Sequence, residues 1–294
     1  MVYFFQQVIN GLSIGSVYAL MAVGFSLVFS IMNFSNFAHG GVIMLGAYFG
    51  FYLMATQHGN LPFPIAFLLA VMLTGVLAVS VERIAYRPLR KRKAPGLYFI
   101  ISAMGVSIFL ENLVIATIGP NFRTYPAIFP PMPLQLGPLS IGWIDMMMFV
   151  VAGIFLALLI FILEYTKLGK AIQATAFNAK GSALMGINTD RMMIIVFLLG
   201  GLLAGAAGVL FGMRYTVYPQ IGIITNKAFI AAVFGGLGSV PGAVIGSLLL
   251  GVIETMVAGY ISSQFRDLAS FLILILVLVF RPRGLMGKIV EDKA

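Results

Sequence analysis

Two carboxylates, Glu111 and Glu254, fall well inside long apolar runs and are the side chains here with the most capacity for chemistry. A charged acid at the centre of a membrane helix costs roughly 2.5–3.5 kcal/mol on insertion scales. Each must therefore be protonated, paired or turned toward water. In a functional role either one is a polar point on a solute path; in a structural role it is a carboxyl hydrogen-bonded to a neighbouring helix. Asn112 and Thr255, beside them on adjacent helix faces, do not separate the two roles. Asn36 and His39, in a polar break between apolar runs, join them as candidate path residues. Cysteine is absent, and His39 and His58 are far from an H-E-x-x-H spacing, so neither a metal site nor a thiolate nucleophile is expected. No phosphate-binding G-x-x-x-x-G-K-[ST] loop occurs either; Gly169-Lys170 is followed by Ala171. The chain is thus expected to be no enzyme, with no catalytic residue and no cofactor of its own. If it takes part in ATP-driven transport, the ATPase is another chain.

The composition explains why chemistry-bearing groups are so few. Of 294 residues, 61% are hydrophobic and 9% charged, against roughly 45–50% and 25% in soluble domains. Mean hydropathy is +1.04. A soluble fold would lack polar surface to cover such a core, which excludes a soluble enzyme, a nucleic-acid-binding domain and a disordered tail. The net charge of +9 is distributed unevenly: no Lys or Arg precedes Arg83, and then Arg83, Arg87, Arg90, Lys91, Arg92 and Lys93 arrive together. Basic clusters between apolar runs read as cytoplasmic anchors rather than as a nucleic-acid surface. The first residues lack a basic region before their apolar run, so they are expected to form a retained span.

The elements that must position these residues are membrane helices, because the apolar runs are long and continuous rather than short and alternating. They lie at about 4–30, 40–56, 63–84, 97–118, 143–164, 192–213, 241–261 and 267–280. A shorter apolar element runs from 226 to 237. The expected fold is an all-α, polytopic membrane bundle of about eight spans plus one short broken helix, forming a single domain over 1–294. Segments 83–96, 165–191 and the tail from Arg281 carry the basic residues and should face the cytoplasm. The proline-rich 119–142 connection should lie outside. Alternation holds if 226–237 crosses with help from neighbouring backbone, and counting backward puts the N-terminus outside.

Small residues recur one turn apart at Gly11/Gly15/Ala19, Gly46/Gly50, Gly200/Ala204/Gly208/Gly212 and Gly242/Gly246. Such stripes let helix backbones approach closely in lipid, which points to a compact bundle. Two stretches interrupt the helical pattern, 33–41 and 235–242. Interrupted segments in corresponding positions can mark a transporter's internal repeat, and these two hint at one.

The 165–191 connection is Ala-rich, helix-compatible and mildly amphipathic, with Ala171, Ala174, Ala183 and Gly186 as small positions and Asn178 as a polar break. Small side chains on an exposed helix allow another protein surface to come close, so a docking helix is expected here.

The pattern Gly169-x-Ala171-x-x-Ala174…Asn178…Ala183-x-x-Gly186-Ile187-Asn188 resembles the ATPase-coupling loop of bacterial ABC importer permeases. Three further stretches narrow the resemblance: Asn36-Phe-Ala-His-Gly40, Gly235-Gly-Leu-Gly-Ser-Val-Pro-Gly-Ala243 and Phe280-Arg-Pro-Arg-Gly-Leu-Met-Gly287. Together they resemble the LivH-type permease of high-affinity branched-chain amino acid importers, over nearly the whole chain. The resemblance implies an inner-membrane, multi-pass permease with a cytoplasmic C-terminus. It pairs with a second permease of the LivM type, two cytoplasmic ATP-binding subunits and a periplasmic solute-binding protein. It puts ATPase docking on Gly169, Ala171, Ala174, Asn178, Ala183, Gly186 and Ile187. One departure bears on cargo: such permeases often carry Gln where this chain has Glu111, and a carboxylate can pair with a cationic or amide-bearing solute.

Two rival functions remain at this stage. A passive channel would need a continuous polar lining and no ATPase. A secondary carrier would use Glu111 or Glu254 as a proton site. Neither needs a docking helix at 165–191.

Overall fold

The chain is described here by a computed structural model covering residues 1–55, 61–130 and 132–287; His58 lies outside the described residues. Among the described residues twelve α-helices follow in order: α1 (Val2–Met32), α2 (His39–Ala55), α3 (Phe63–Val81), α4 (Arg87–Lys91), α5 (Gly96–Ile118), α6 (Trp143–Tyr165), α7 (Lys167–Phe177), α8 (Ala179–Leu184), α9 (Thr189–Arg214), α10 (Thr225–Gly235), α11 (Val240–Tyr260) and α12 (Arg266–Phe280). A π-helical segment, Glu82–Tyr86, joins α3 to α4 into one span, Phe63–Lys91. Among the described residues, seven helices are long and apolar enough to cross a membrane, and α2 is a shorter apolar one. With α10 as the short element, this is the helical bundle expected from the apolar runs. Among the described residues the one sheet is a two-residue-turn hairpin, β1 (Leu134–Leu136) with β2 (Leu139–Ile141), in the 119–142 connection.

Side-chain ties define the two ends of the bundle. Arg90 pairs with Asp190 at 3.1 Å, bringing the 83–96 and 165–191 segments together. At that same basic end the chain after α12 returns to α10 through Leu285 N–H to the Phe234 carbonyl, 2.9 Å, and Met286 N–H to the Gly235 carbonyl, 2.9 Å. The opposite, proline-rich end joins the start of α1 to the hairpin, through Gln6 and the Ser140 backbone, and to the end of α11, through the Tyr3 hydroxyl and the Gly259 carbonyl. All three basic segments therefore share one end, as their charge requires of a membrane protein.

Helix α1 is the centre of the bundle: 89% of its apolar window is buried, against 6% for the last span. Its stripe of small residues faces α11, where a Cβ on Gly251 would sit 2.6 Å from Gly15 Cα. Only glycine permits that backbone approach, and the contact area it opens is what holds helices together in lipid. Gly46 and Gly205 bring α2 and α9 together in the same way. The small-residue stripes thus serve packing within the chain.

Two elements do not span alone. Helix α2 begins at His39, whose ring lies against Gly24 of α1, about 12 Å short of the end of that helix. Of the non-helical residues leading to it, Phe34, Asn36 and Ala38 are buried: Phe34 packs against the Tyr86 and Phe99 rings, and Asn36 accepts from the Tyr86 hydroxyl at 2.6 Å. Likewise α10 covers only the part of its crossing nearest the basic end. The rest is made by residues 215–218 and a 3-10 turn, Pro219–Ile224. Irregular backbone at membrane depth is tolerated only where protein covers it or water lines it. Together, 215–224 and α10 run from the proline-rich end of the bundle to the basic end.

The expected pairing of breaks needs correction. Residues 33–41 do not find their counterpart in 235–242, which is a tight turn at the basic end with Gly236 and Gly238 at positive φ. Their neighbour is the 215–224 segment: a Cβ on Gly40 would lie 2.6 Å from the Gly222 carbonyl oxygen. A turn and a broken span both read as Gly-rich interruptions, so the pattern alone could not distinguish them.

Candidate functional site: a broken-helix cavity and a docking surface

Where the two interrupted elements meet, a cavity of about 330 Å³ opens between α2, α5 and the 219–226 segment. Met44, Met104, Ile108 and Ile223 form its apolar wall, and Ser107, Glu111, Thr225 and Asn226 its polar one. Glu111 is half-buried on α5, about 10 Å from the proline-rich end of that helix. Thr225 is 3% exposed, and its Oγ1 lies beside Gly40 with no hydrogen-bond partner. Helices starting inside a membrane protein direct their positive ends at whatever occupies the gap between them. Gly41, in the first turn of α2, and Pro219, which opens the 3-10 turn, both line this gap.

The other three path candidates sit elsewhere. Asn36 is buried against Tyr86, and His39 is buried between Gly24 and the Phe25 ring, its Nε2 without a partner. Glu254 lies in a polar cluster joining four helices: Lys227 Nζ is 3.0 Å from its Oε1, the Tyr18 hydroxyl donates to its Oε2 at 3.0 Å, and the Ser270 hydroxyl donates to its Oε1. Lys227 also reaches Asp267, 2.8 Å away at the start of α12. Glu254 is thus paired and hydrogen-bonded across helices.

Two further buried acids escaped the sequence, which placed only Glu111 and Glu254 well inside spans. Glu82 is fully buried in the π-helical segment, 2.8 Å from Arg90. The wider turn there directs both Glu82 and Tyr86 inward. Asp145 is buried at the start of α6, 3.4 Å from Arg214 of α9 and within reach of the Ser13 hydroxyl. Each acid stands near a span end, where the hydropathy pattern reads it as an interfacial residue.

The expected docking loop consists of the two helices α7 and α8 at the basic end. Asn178 closes one and caps the other, its Oδ1 accepting from Gly181 N–H at 2.9 Å. The family-matched residues divide between inside and outside. Ala174, Asn178, Ala183 and Gly186 are exposed, Ala171 and Ile187 half-buried, and Gly169 packs inward against the Ile162 and Leu163 backbone. Three large apolar side chains that the sequence did not single out stand beside them, almost fully exposed: Phe177 (87%), Leu184 (89%) and Met185 (86%). Large apolar side chains this exposed, outside the apolar spans, make this end a candidate interaction surface. The helix-period pattern could have exposed them, since Phe177 falls opposite the buried Ile172 and Thr175.

Known proteins resemble the chain along its whole length. LivH of Escherichia coli K12, a high-affinity branched-chain amino acid transport system permease protein, is 39% identical over 97% of this chain and 96% of its own. The corresponding permease BraD of Pseudomonas aeruginosa is 38% identical with the same coverage. Among solved structures, PsaBC from Streptococcus pneumoniae in complex with Fab aligns with a TM-score of 0.50 at 14% identity. The alignment covers 96% of this chain and 93% of that one, a likeness of fold. Residues 7–280 match the family described as branched-chain amino acid transport system / permease component, and the chain belongs to that family.

Proposed function

We propose that this chain is the membrane-spanning permease subunit of an ATP-driven importer for branched-chain or related amino acids. The observation that carries this is the 39% identity to a branched-chain amino acid permease over almost the entire length of both chains. The exposed Phe177, Leu184 and Met185 around the Asn178 cap support a role for the basic end in receiving two cytoplasmic ATP-binding subunits. With that end cytoplasmic, the N-terminus and the proline-rich connection face a periplasmic solute-binding protein, and the chain sits in the bacterial inner membrane with its C-terminus inside.

A second permease, of the LivM type, is the partner in the membrane plane. Half-buried Glu111 and exposed Asn226 open onto the flank of the bundle at membrane depth. Lipid would leave both without partners at a cost of several kcal/mol, whereas a second permease closes the cavity into a shared path. ATP binding in the partner subunits then biases one packing of the helices over another through differential affinity for the two states. No residue of this chain is asked to do chemistry.

Reconstitution separates this function from a channel or a proton-coupled carrier. The chain is co-purified with its permease partner and ATPases, and uptake into proteoliposomes is measured with the binding protein present. Uptake is expected only when ATP is supplied to the ATPase side. Undiminished uptake without ATP sinks the importer.

A further inference from the structure

The membrane-embedded carboxylates differ in one respect. Glu82 has Arg90, Asp145 has Arg214 and Glu254 has Lys227, each within 3.4 Å. Among the described residues Glu111 has no basic partner; the other unpaired acid, Glu164, is exposed in the last turn of α6. Glu111 is also the one ionisable group lining the α2–α5–α10 cavity. A carboxylate left without a counter-ion at this depth is costly, and such residues ordinarily mark a solute or ion path.

We infer that the cavity is a transient cargo site in which Glu111 is the counter-ion for a cationic amine. The surroundings define the rest of the ligand. The same cavity is lined by Gly41, in the first turn of α2, and by the buried Thr225, whose Oγ1 has no partner of its own. A helix N-terminus and a free hydroxyl together suit a carboxylate. Met44, Met104, Ile108 and Ile223 offer an apolar wall without β-branched polar groups, suited to an aliphatic chain. One acid, one anion-favouring helix start and one apolar wall around about 330 Å³ match a zwitterionic aliphatic α-amino acid. This assignment rests on the importer reading and sharpens it: where a Gln can only hydrogen-bond an amine, Glu111 neutralises it.

Direct binding tests the site apart from ATP-driven transport. The assembled importer in nanodiscs, without binding protein, is titrated with radiolabelled leucine in the wild type and in E111Q, E111D and N112A. Competitors are 3-methylbutylamine, which lacks the carboxylate, and 4-methylpentanoate, which lacks the amine. E111Q is expected to weaken leucine binding at least about tenfold, as loss of a charged partner does. E111D should restore most of it, and N112A, on the neighbouring face, should match the wild type. The amine should compete better against the wild type than against E111Q, and the acid should not distinguish them. Equal leucine affinity in wild type and E111Q overturns the assignment, as does unchanged discrimination by the amine. ATP dependence of uptake, read on the same preparation, reports on the importer function separately: ATP-independent uptake with Glu111-dependent binding would remove the importer and leave the site.

Discussion

Lys227 Nζ lies 3.0 Å from Glu254 Oε1, so the only basic residue of α10 is neutralised by the only acid of α11. Their side chains are 16% and 2% exposed, which keeps water screening low. Removing the Glu254 charge leaves Lys227 with the exposed Asp267 as its remaining acidic partner, so Glu254→Gln should lower stability by up to about 3 kcal/mol, the low end for a broken buried pair. The double change K227M/E254L should recover much of that loss, because no buried unpaired charge remains and Asp267, which loses Lys227, is exposed. Thermal unfolding of the purified complex in detergent measures both. A double variant no better than the single ones would show that the two charges do not act on each other.

Docking of the ATPases should depend on the exposed face of α7 and α8. Asn178→Asp keeps the helix cap, since aspartate caps as well as asparagine, yet it adds a charge to the contact surface. Gly186 stands at φ +84° in open space. Gly186→Trp therefore strains the backbone by about 1–2 kcal/mol and leaves membrane insertion intact. Phe177→Asp replaces an exposed anchor with a charge. Each should cut ATP-dependent uptake and ATPase co-purification at least about tenfold. Normal co-purification of all three would remove the docking assignment.

Packing of α1 on α11 should be intolerant of size. Gly251→Leu forces the two backbones apart at the centre of the bundle and should cost upwards of about 1–3 kcal/mol. Heat-induced aggregation in detergent, compared with the same change at Gly153, on the open outer face of α6, reports the difference.

Tyr125, in the 119–142 connection, donates to the Ala47 carbonyl at 2.6 Å and thereby fastens that connection to α2. Burial pushes its phenol well above the ordinary tyrosine range. An acid whose folded pKa is raised contributes stability that is complete below its unfolded pKa, about 10, and declines as pH rises beyond it. Stability should fall above pH 10, and the fall should be shallower in Tyr125→Phe. Melting curves between pH 8 and 11 measure the slope.

Much of this was legible in the chain itself. Continuous apolar runs announce helices because lipid requires every backbone group to be satisfied within its own segment. The basic clusters at 83–96, 165–191 and beyond Arg281 gather at one end, as their charge demands. Asn178 was legible as a break, and it is one. Partnerships were not legible. Asp145 and Arg214, or Tyr18 and Glu254, meet only through tertiary packing. Lys227 at the edge of a short apolar run gave no sign of the acid it faces. Glu111 was noted for its position, but its lack of a basic partner among the described residues emerges only from the packed structure, where Glu82, Asp145 and Glu254 each have one.

The half-length α10 bears on how the protein is made. Its 11 residues reach about 16 Å, half of a hydrocarbon core about 30 Å thick, and they carry Lys227 ahead of the helix that supplies Glu254. A nascent chain ending before α11 therefore has an uncompensated cation on a segment too short to be retained in the bilayer. The Lys227–Glu254 pair thus ties a segment too short to span by itself to the helix that follows it, and the two are expected to enter the bilayer together.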